Sequence, residues 1–378
     1  MRVALVICGD LGTLTGGYLY DRMLVDFLRE RGHRVTVVSL PGTTYGRHLA
    51  GGTLLLASAR LLRVSCDVML QDALVHPALF LANRRLQRRC AYPRVALAHM
   101  VLSAQPRPPW QNRLLAAVEG AFYRSVDGCI ANSRTTLGHL TQWGVTRRPF
   151  LVAPPGGDRL GHIASSERVR ERSAAPGPLR LLFLGNLLPG KGLLPLIDTL
   201  ARIPGVDWQL AVAGSLTMDG DHVRAVCGRI RRWGLGDRIR LMGPVSGPGL
   251  VGLLESSHLM TMPFSHEGFG MALLEGMAYG LPAIASTRGA ARETVASGVN
   301  GILVPPERPD LAAAAVHRLA SDRQALARMS LRALDTFHRH PPWEKTLGTV
   351  EGFLRRIASR QPVLWGGIPL VIPRHGGV

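Results

Sequence analysis

Residues 259–282 read LMTMPFSHEGFGMALLEGMAYGLP. An apolar run over 259–264 passes into a Ser-His-Glu-Gly loop, and a helical pattern from Met271 is stopped by Gly280-Leu281-Pro282. The reading is a strand, a glycine-rich turn and a helix. Glu267 lies in the turn and Glu275 in the helix, so a helix entered at about Gly270 holds Glu275 little more than a turn inside. Between them Gly268, Phe269, Gly270 and Met271 present backbone N–H groups at a helix N-terminus, where phosphate or sugar oxygens are bound. Two acceptors and a row of donors suit a polyhydroxylated ligand.

The same half of the chain repeats this unit. From Leu179 come strand LRLLFLG, loop NLLPGKG, a helix from Leu193, strand WQLAVAG, loop SLTMDGD, helix HVRAVCGRIRRWG and strand RIRLMG. Beyond the opening stretch lie a strand at 283–286, the turn TRGAARE, the unit GVNGILVPP, and helices at 310–319 and 322–338. Pro341-Pro342 precedes a last helix at 343–357, and residues from 359 carry no clear pattern. Alternating strands and helices predict a doubly wound parallel sheet, with ligands at the strands' carboxyl ends. Lys191 stands between the first strand and its helix, where an ammonium neutralises a diphosphate; the plainer reading is a loop lysine. It is one of only two lysines, with Lys345. The Asp219-Gly220-Asp221 triplet reads as a loop with Asp221 as helix N-cap rather than as a metal site.

The N-terminal half has its own βαβ start. A strand at 2–8, a glycine loop, an amphipathic helix and the strand RVTVVSL follow one another, with Gly32 as the glycine closing the helix. Gly16-Gly17 at the helix entrance either lets a ligand approach the backbone or simply makes a turn; the spacing is not GxGxxG, so NAD is not inferred. Asp72 and His76 follow a strand end, either as acceptor-side residues or as a cap and a surface histidine. Arg84, Arg85, Arg88 and Arg89 complement a helix C-terminus or touch anionic lipid. His99 ends a strand before an irregular loop, as a ligand contact or a satisfied structural histidine. Asn132-Ser133 makes a turn and cap, and after PPGGD the polar stretch 156–178 reads as a linker. The expected division is a first domain over 1–155, a linker over 156–178, a second domain over 179–340, a crossover helix at 341–358 and a tail at 359–378.

Composition narrows the class. At 378 residues and 46% apolar, the chain has room for two domains with real cores. No apolar run is long enough to span a membrane, no signal peptide is visible, and five cysteines without CxxC spacing read as reduced core residues, so a cytoplasmic protein is expected. The net charge of +19 is carried almost wholly by arginine, which leaves either a generic solvated surface or attraction to an anionic membrane or substrate. Aromatics are few and no basic-aromatic module appears, which argues against a nucleic-acid partner.

GNLLPGKG at 185–192, the Glu267/Glu275 pair in HEGFGMALLE, AYGLPAIAS and GVNGILV resemble the family 4 retaining glycosyltransferases of the GT-B fold. TGGYLYD, RGHRVTVVS, ANS and PPGGD carry the resemblance through the N-terminal half. It implies two Rossmann-like domains facing across a cleft, a C-terminal helix crossing back to the first domain, and transfer of a sugar from a nucleotide diphosphate sugar to a polysaccharide, lipid or small-molecule acceptor. By the same resemblance Glu275 holds the donor ribose, Glu267 the sugar hydroxyls and Lys191 the leaving diphosphate. The amides of Phe269 and Gly270 seat the sugar, Gly16 and Gly17 admit the phosphates, and His99 faces the sugar. Many members carry arginine where this chain has Asn186, and Arg288 is one candidate to replace it. No metal or other cofactor is expected. The competing readings are another GT-B enzyme, such as an epimerase or phosphorylase, and a non-catalytic sugar-nucleotide-binding protein at a membrane.

Overall fold

The structure, a computed structural model, describes residues 1–41, 54–86 and 90–360. The chain forms two compact units, one of Met1–Pro155 with the segment from Trp343, the other of Gly156–Pro342.

In the first unit, short runs rich in aliphatic residues make β1 (Arg2–Cys8), β2 (Arg34–Leu40), β3 (Val68–Asp72), β4 (Arg94–Ala98), β5 (Gly128–Ala131) and β6 (Phe150–Val152). They pair in parallel in the order β2-β1-β3-β4-β5-β6. Between them run α1 (Gly16–Glu30), α2 (Leu54–Leu62), α3 (His76–Leu86), α4 (Pro109–Tyr123) and α5 (Arg134–Leu140). The central strands β3, β4 and β5 are buried throughout, as expected of a sheet covered on both faces. Ser133 caps α5 and Gly32 follows α1 at φ +78°, both where the sequence suggested, and Thr15, which was not anticipated, caps α1.

The second unit holds α6 (Ser166–Ala174), β7 (Leu179–Leu184), α7 (Leu193–Ala201), β8 (Trp208–Ala213), α8 (Gly220–Arg232), β9 (Ile239–Gly243), α9 (Gly247–Ser256), β10 (Leu259–Met262), α10 (Met271–Ala278), β11 (Ala283–Ser286), β12 (Gly301–Val304), α11 (Pro309–Ser321) and α12 (Arg323–Arg339). Its parallel sheet has the order β12-β11-β10-β7-β8-β9. This is the doubly wound α/β architecture expected from the alternation, twice over.

Three local expectations are corrected. Residues 156–178, expected as a linker, contain α6, which packs on α12 through Val169 and is capped by Ser165. Arg172 on α6 donates to the carbonyls of Leu254, Glu255, Tyr279 and Gly280, closing the ends of α9 and α10. Charged all round, α6 showed no apolar stripe, so its periodicity was invisible. The helix α9 opens Gly-Pro-Gly, a poor helix former, and was likewise not anticipated. The N-cap of α8 is Asp219, whose Oδ1 accepts from His222 N–H at 2.9 Å, whereas Asp221 lies in the first turn and pairs with Arg224.

The last helix, α13 (Trp343–Ala358), packs in the first unit against α1 and β3. Trp343 sets its ring edge-on to Tyr20 at 5.3 Å, and Glu351 is pinned between His33 and Arg355.

Candidate active site

In the second sheet the chain runs β7, β8, β9 outward in one direction and then returns to lay β10 against the other side of β7. Loops leaving adjacent strands diverge at such a switch point and open a crevice at the carboxyl edge. Lys191 comes from the loop after β7 and Glu267 from the loop after β10. Lys191 Nζ donates to Glu267 Oε1 at 2.8 Å and Oε2 at 3.0 Å. Ser265 Oγ donates to Oε1 as well. The Glu267 side chain is 14% exposed and that of Lys191 28%, so the pair is half sheltered yet reachable by a solute.

Glycines hold these loops in register. Gly289 has φ +76°, and a Cβ there would lie 2.5 Å from the Glu267 carbonyl oxygen; Ala290 N–H donates to that oxygen at 2.9 Å. Gly192, at φ +71°, lies against the Phe264 backbone with no room for a side chain. Gly270 takes the left-handed conformation at the entrance of α10, which opens without a side-chain cap. Gly268 and Phe269 lie in the same loop, and the Phe269 ring is buried 5.7 Å from the His340 ring.

Glu275 lies inside α10 and is 8% exposed. Arg159, from the turn after PPGGD, donates Nε–H and Nη2–H to Glu275 Oε1 at 2.9 and 2.6 Å. Both bonds fall on one oxygen, which fixes the carboxylate and leaves Oε2 to other donors. Burial raises the Glu275 carboxyl above its ordinary value, and Arg159 pulls it back without cancelling the rise. Sequence reasoning missed Arg159 because nothing in its neighbours marks a long-range partner. Asn186 accepts from Ser215 N–H at 2.9 Å through Oδ1, tying the loops after β7 and β8 together. Arg288, the candidate to replace the family arginine, pairs its guanidinium with Glu307.

The first sheet has its own switch point between β1 and β3. Gly16 and Gly17 open α1 there, and a Cβ on Gly17 would stand 3.1 Å from His99 Cδ2. His99 Nε2 hydrogen-bonds Asp21 Oδ1 at 2.8 Å, and Asp21 lies one helical turn beyond Gly17. Asp72 and His76, expected on the acceptor side, are buried at 0% and 2% exposure. Asp72 Oδ1 accepts from Leu74 N–H at 2.7 Å, and His76 Nδ1 bonds the Ala73 carbonyl at 2.8 Å. Neither offers surface to an acceptor, and His76 is no surface histidine, because a turn folds both inward under the sheet edge. Arg84 and Arg85 are exposed in the last turn of α3, and Arg88 and Arg89 lie outside the described residues. Among the described residues no helix is long and apolar enough to cross a membrane.

Comparison with known proteins agrees with this architecture. Residues 20–159 match the model described as Glycosyltransferase Family 4, and residues 165–335 the one described as Glycosyl transferases group 1. A D-inositol 3-phosphate glycosyltransferase from Segniliparus rotundus is 27% identical over 316 residues, covering 79% of this chain and 68% of that protein. Its Geodermatophilus obscurus counterpart is also 27% identical, with 61% of its length covered. Among solved structures, a sucrose-phosphate synthase from Thermosynechococcus elongatus has a TM-score of 0.81 at 20% identity, covering 95% of this chain and all of that one. Two successive glycosyltransferase models and two parallel six-stranded sheets place the chain in the family 4 glycosyltransferases of the GT-B type.

Proposed function

We propose that this protein transfers a sugar from a nucleotide diphosphate sugar to a hydroxyl of its acceptor, with retention of anomeric configuration. The observation that carries the donor half is the meeting of Lys191 and Glu267 at the switch point of the second sheet, with Glu275 one turn inside α10, the helix that follows Glu267. Departure of the nucleotide diphosphate leaves two developing negative charges and an oxocarbenium-like sugar, so a fixed cation beside the diphosphate lowers the barrier. Lys191 is that cation. On donor binding it turns from Glu267 to the diphosphate, and Glu267 becomes free to accept from sugar hydroxyls. Glu275 Oε2 accepts from the ribose, and the N–H groups at the entrance of α10 receive sugar or phosphate oxygens. His99 is assigned to a hydroxyl of the substrate.

The Anabaena protein HepE, whose structure in complex with UDP and glucose matches with a TM-score of 0.72 at 20% identity, makes uridine donors the first to test. The name of the curated relatives makes a phosphorylated cyclitol the first acceptor to test. Arg84 and Arg85 make a lipid-linked acceptor at an anionic surface the second. The experiment is a panel of UDP- and GDP-sugars incubated with the full chain and inositol phosphates or lipid acceptors. Product is read by mass spectrometry, and its anomeric configuration by NMR. Transfer with retention, lost in Glu267→Ala, supports the reading; no turnover and no hydrolysis with any donor rejects it.

A further inference from the structure

Three titratable side chains from three elements meet beneath the carboxyl edge of the first sheet. Asp21 comes from α1, Asp72 from the end of β3 and His99 from the residue after β4, and one ligand atom of each lies within 4.8 Å of the others. Asp21 and Asp72 are fully buried, and the His99 side chain is 12% exposed. Asp21 Oδ1 shares a hydrogen bond with His99 Nε2 and Asp72 Oδ1 accepts from Leu74 N–H, yet the Oδ2 atom of each aspartate is buried without a donor. Two orphaned carboxylate oxygens in one dry place are costly unless a proton lies between them.

Among the described residues no cation bonds these two oxygens, and Arg22 only favours the charged form of Asp21 through its field. From α1, Tyr18 spends its hydroxyl on the Cys8 carbonyl and Tyr20 donates to the Ala153 carbonyl at 3.1 Å. Arg22 directs its guanidinium at the carbonyls of Leu11 and Thr13. From β1 the Cys8 thiol points to the Pro41 carbonyl, and on α4 the buried Tyr123 faces Asp72. The Tyr20 ring walls one side of His99 at 5.2 Å.

We propose that Asp72 donates a proton to Asp21 across a buried carboxyl–carboxylate hydrogen bond, and that Asp21 thereby acts as the positioning residue that fixes His99 as the tautomer protonated on Nε2. Asp21 then receives two donors, the Asp72 hydroxyl on Oδ2 and His99 Nε2–H on Oδ1, and every buried oxygen of the pair is accounted for. His99 keeps Nδ1 as a hydrogen-bond acceptor for a substrate hydroxyl. Gly17 completes the arrangement, since any side chain there would push the imidazole off this line.

The direction of the shifts agrees. Burial raises both aspartates above the ordinary carboxyl range; the contact between them favours the charged form of Asp21 and the protonated form of Asp72. Burial lowers His99, so the ring is neutral near pH 7, while the Asp72 charge would oppose this if it formed.

The tautomer inference stands on the geometry alone; its catalytic consequence rests on the substrate role given to His99 above. The decisive experiment is two-bond 1H–15N NMR of histidine-labelled full-length protein without ligand, with the His99 signals assigned by their loss in His99→Gln. The expected spectrum shows His99 neutral and protonated on Nε2 at pH 7. An Nδ1–H tautomer or an imidazolium at pH 7 overturns the proposal, and so does a divalent cation, measured by elemental analysis, that Asp21→Asn removes. Asp72→Asn still donates a hydrogen bond to Asp21, so the tautomer is retained and its fraction becomes independent of pH between 6 and 9. Asp21→Asn mixes the two tautomers. If the asparagine variants do not fold, the wild-type titration decides: His99 must hold the Nε2–H form until the shared proton leaves. With a donor in hand, Asp21→Asn lowers kcat about tenfold or more and leaves donor KM unchanged; equal losses in both, or none, overturn the positioning role. Failure of every donor in the panel counts against the proposed transfer, while the ligand-free spectrum still tests the proton arrangement.

Discussion

Lys191 and Glu267, the cation and carboxylate that the donor is expected to meet, are bonded to each other, with Nζ 2.8 and 3.0 Å from the two carboxylate oxygens. Each holds the other in place in the ligand-free protein, and a diphosphate must compete with Glu267 for the ammonium. Glu267→Gln keeps the side chain's shape and removes that competitor. Free nucleoside diphosphate is therefore expected to bind as tightly as to the wild type or a few-fold tighter, by about 0.5–1 kcal/mol. Sugar transfer falls about 10²-fold or more. Calorimetry with the nucleotide alone separates the two effects, and weaker nucleotide binding would show that Glu267 does not restrain Lys191.

Arg159 secures Glu275 through two bonds to a single oxygen. Arg159→Ala leaves a buried carboxylate unpaired, which moves its pKa further up and turns it into a poorer ribose acceptor. Donor affinity is predicted to fall roughly 10- to 100-fold, or about 1.4–2.8 kcal/mol. Arg159→Lys restores only part of it, since an ammonium lacks the fork. Titration calorimetry of both variants checks the order wild type, lysine, alanine.

Gly17→Ala places a methyl 3.1 Å from His99 Cδ2 and 3.4 Å from Cγ. Alanine is the better helix residue by roughly 1 kcal/mol, so thermal stability is expected to hold or rise slightly. Turnover falls because the imidazole is displaced. A variant that melted early and kept full kcat would show that the glycine serves folding alone.

Glu351 on α13 ties that helix to the rest of the first unit through His33 Nε2 at 2.9 Å, and Arg355, one turn on along the same helix, holds the carboxylate at 2.7 and 3.0 Å. Burial alone would raise its pKa, but the bonds from His33 and Arg355 pull it down to about 2. A carboxyl whose folded pKa is depressed stabilises fully above its unfolded value, near 4.3, and the contribution fades as pH falls toward 2. Glu351→Gln should therefore be less stable than the wild type at pH 6–7, by about 1–3 kcal/mol, with the gap closing toward pH 2. Urea unfolding across this range measures it, and a gap that widens in acid would contradict the assignment.

Much of this molecule was legible because the physics behind it is local. Strand, glycine turn and helix follow one another with clear periodicity, so two doubly wound sheets and the places of Lys191, Glu267 and Glu275 could be read directly. What escaped depended on contacts far apart in sequence. Arg159 meets Glu275 across 116 positions, and Asp21 meets His99 across 78, with nothing in either neighbourhood to mark the partner. Burial of Asp72 and His76 was hidden for the same reason: a strand end and a turn look alike whether they face ligand or core. The helix α6 carries almost no apolar face and is held by Val169, its Ser165 cap and Arg172, three residues that read as linker.

The central claim is that the second unit seats a nucleotide diphosphate sugar through Lys191 and Glu275. Isothermal titration of the full-length protein with UDP- and GDP-sugars, repeated on Lys191→Ala and Glu275→Ala, tests it most directly. At least one donor should bind the wild type, and each variant should weaken it tenfold or more, about 1.4 kcal/mol. Binding that survives both substitutions unchanged, or a wild-type protein that binds no donor, would contradict the account.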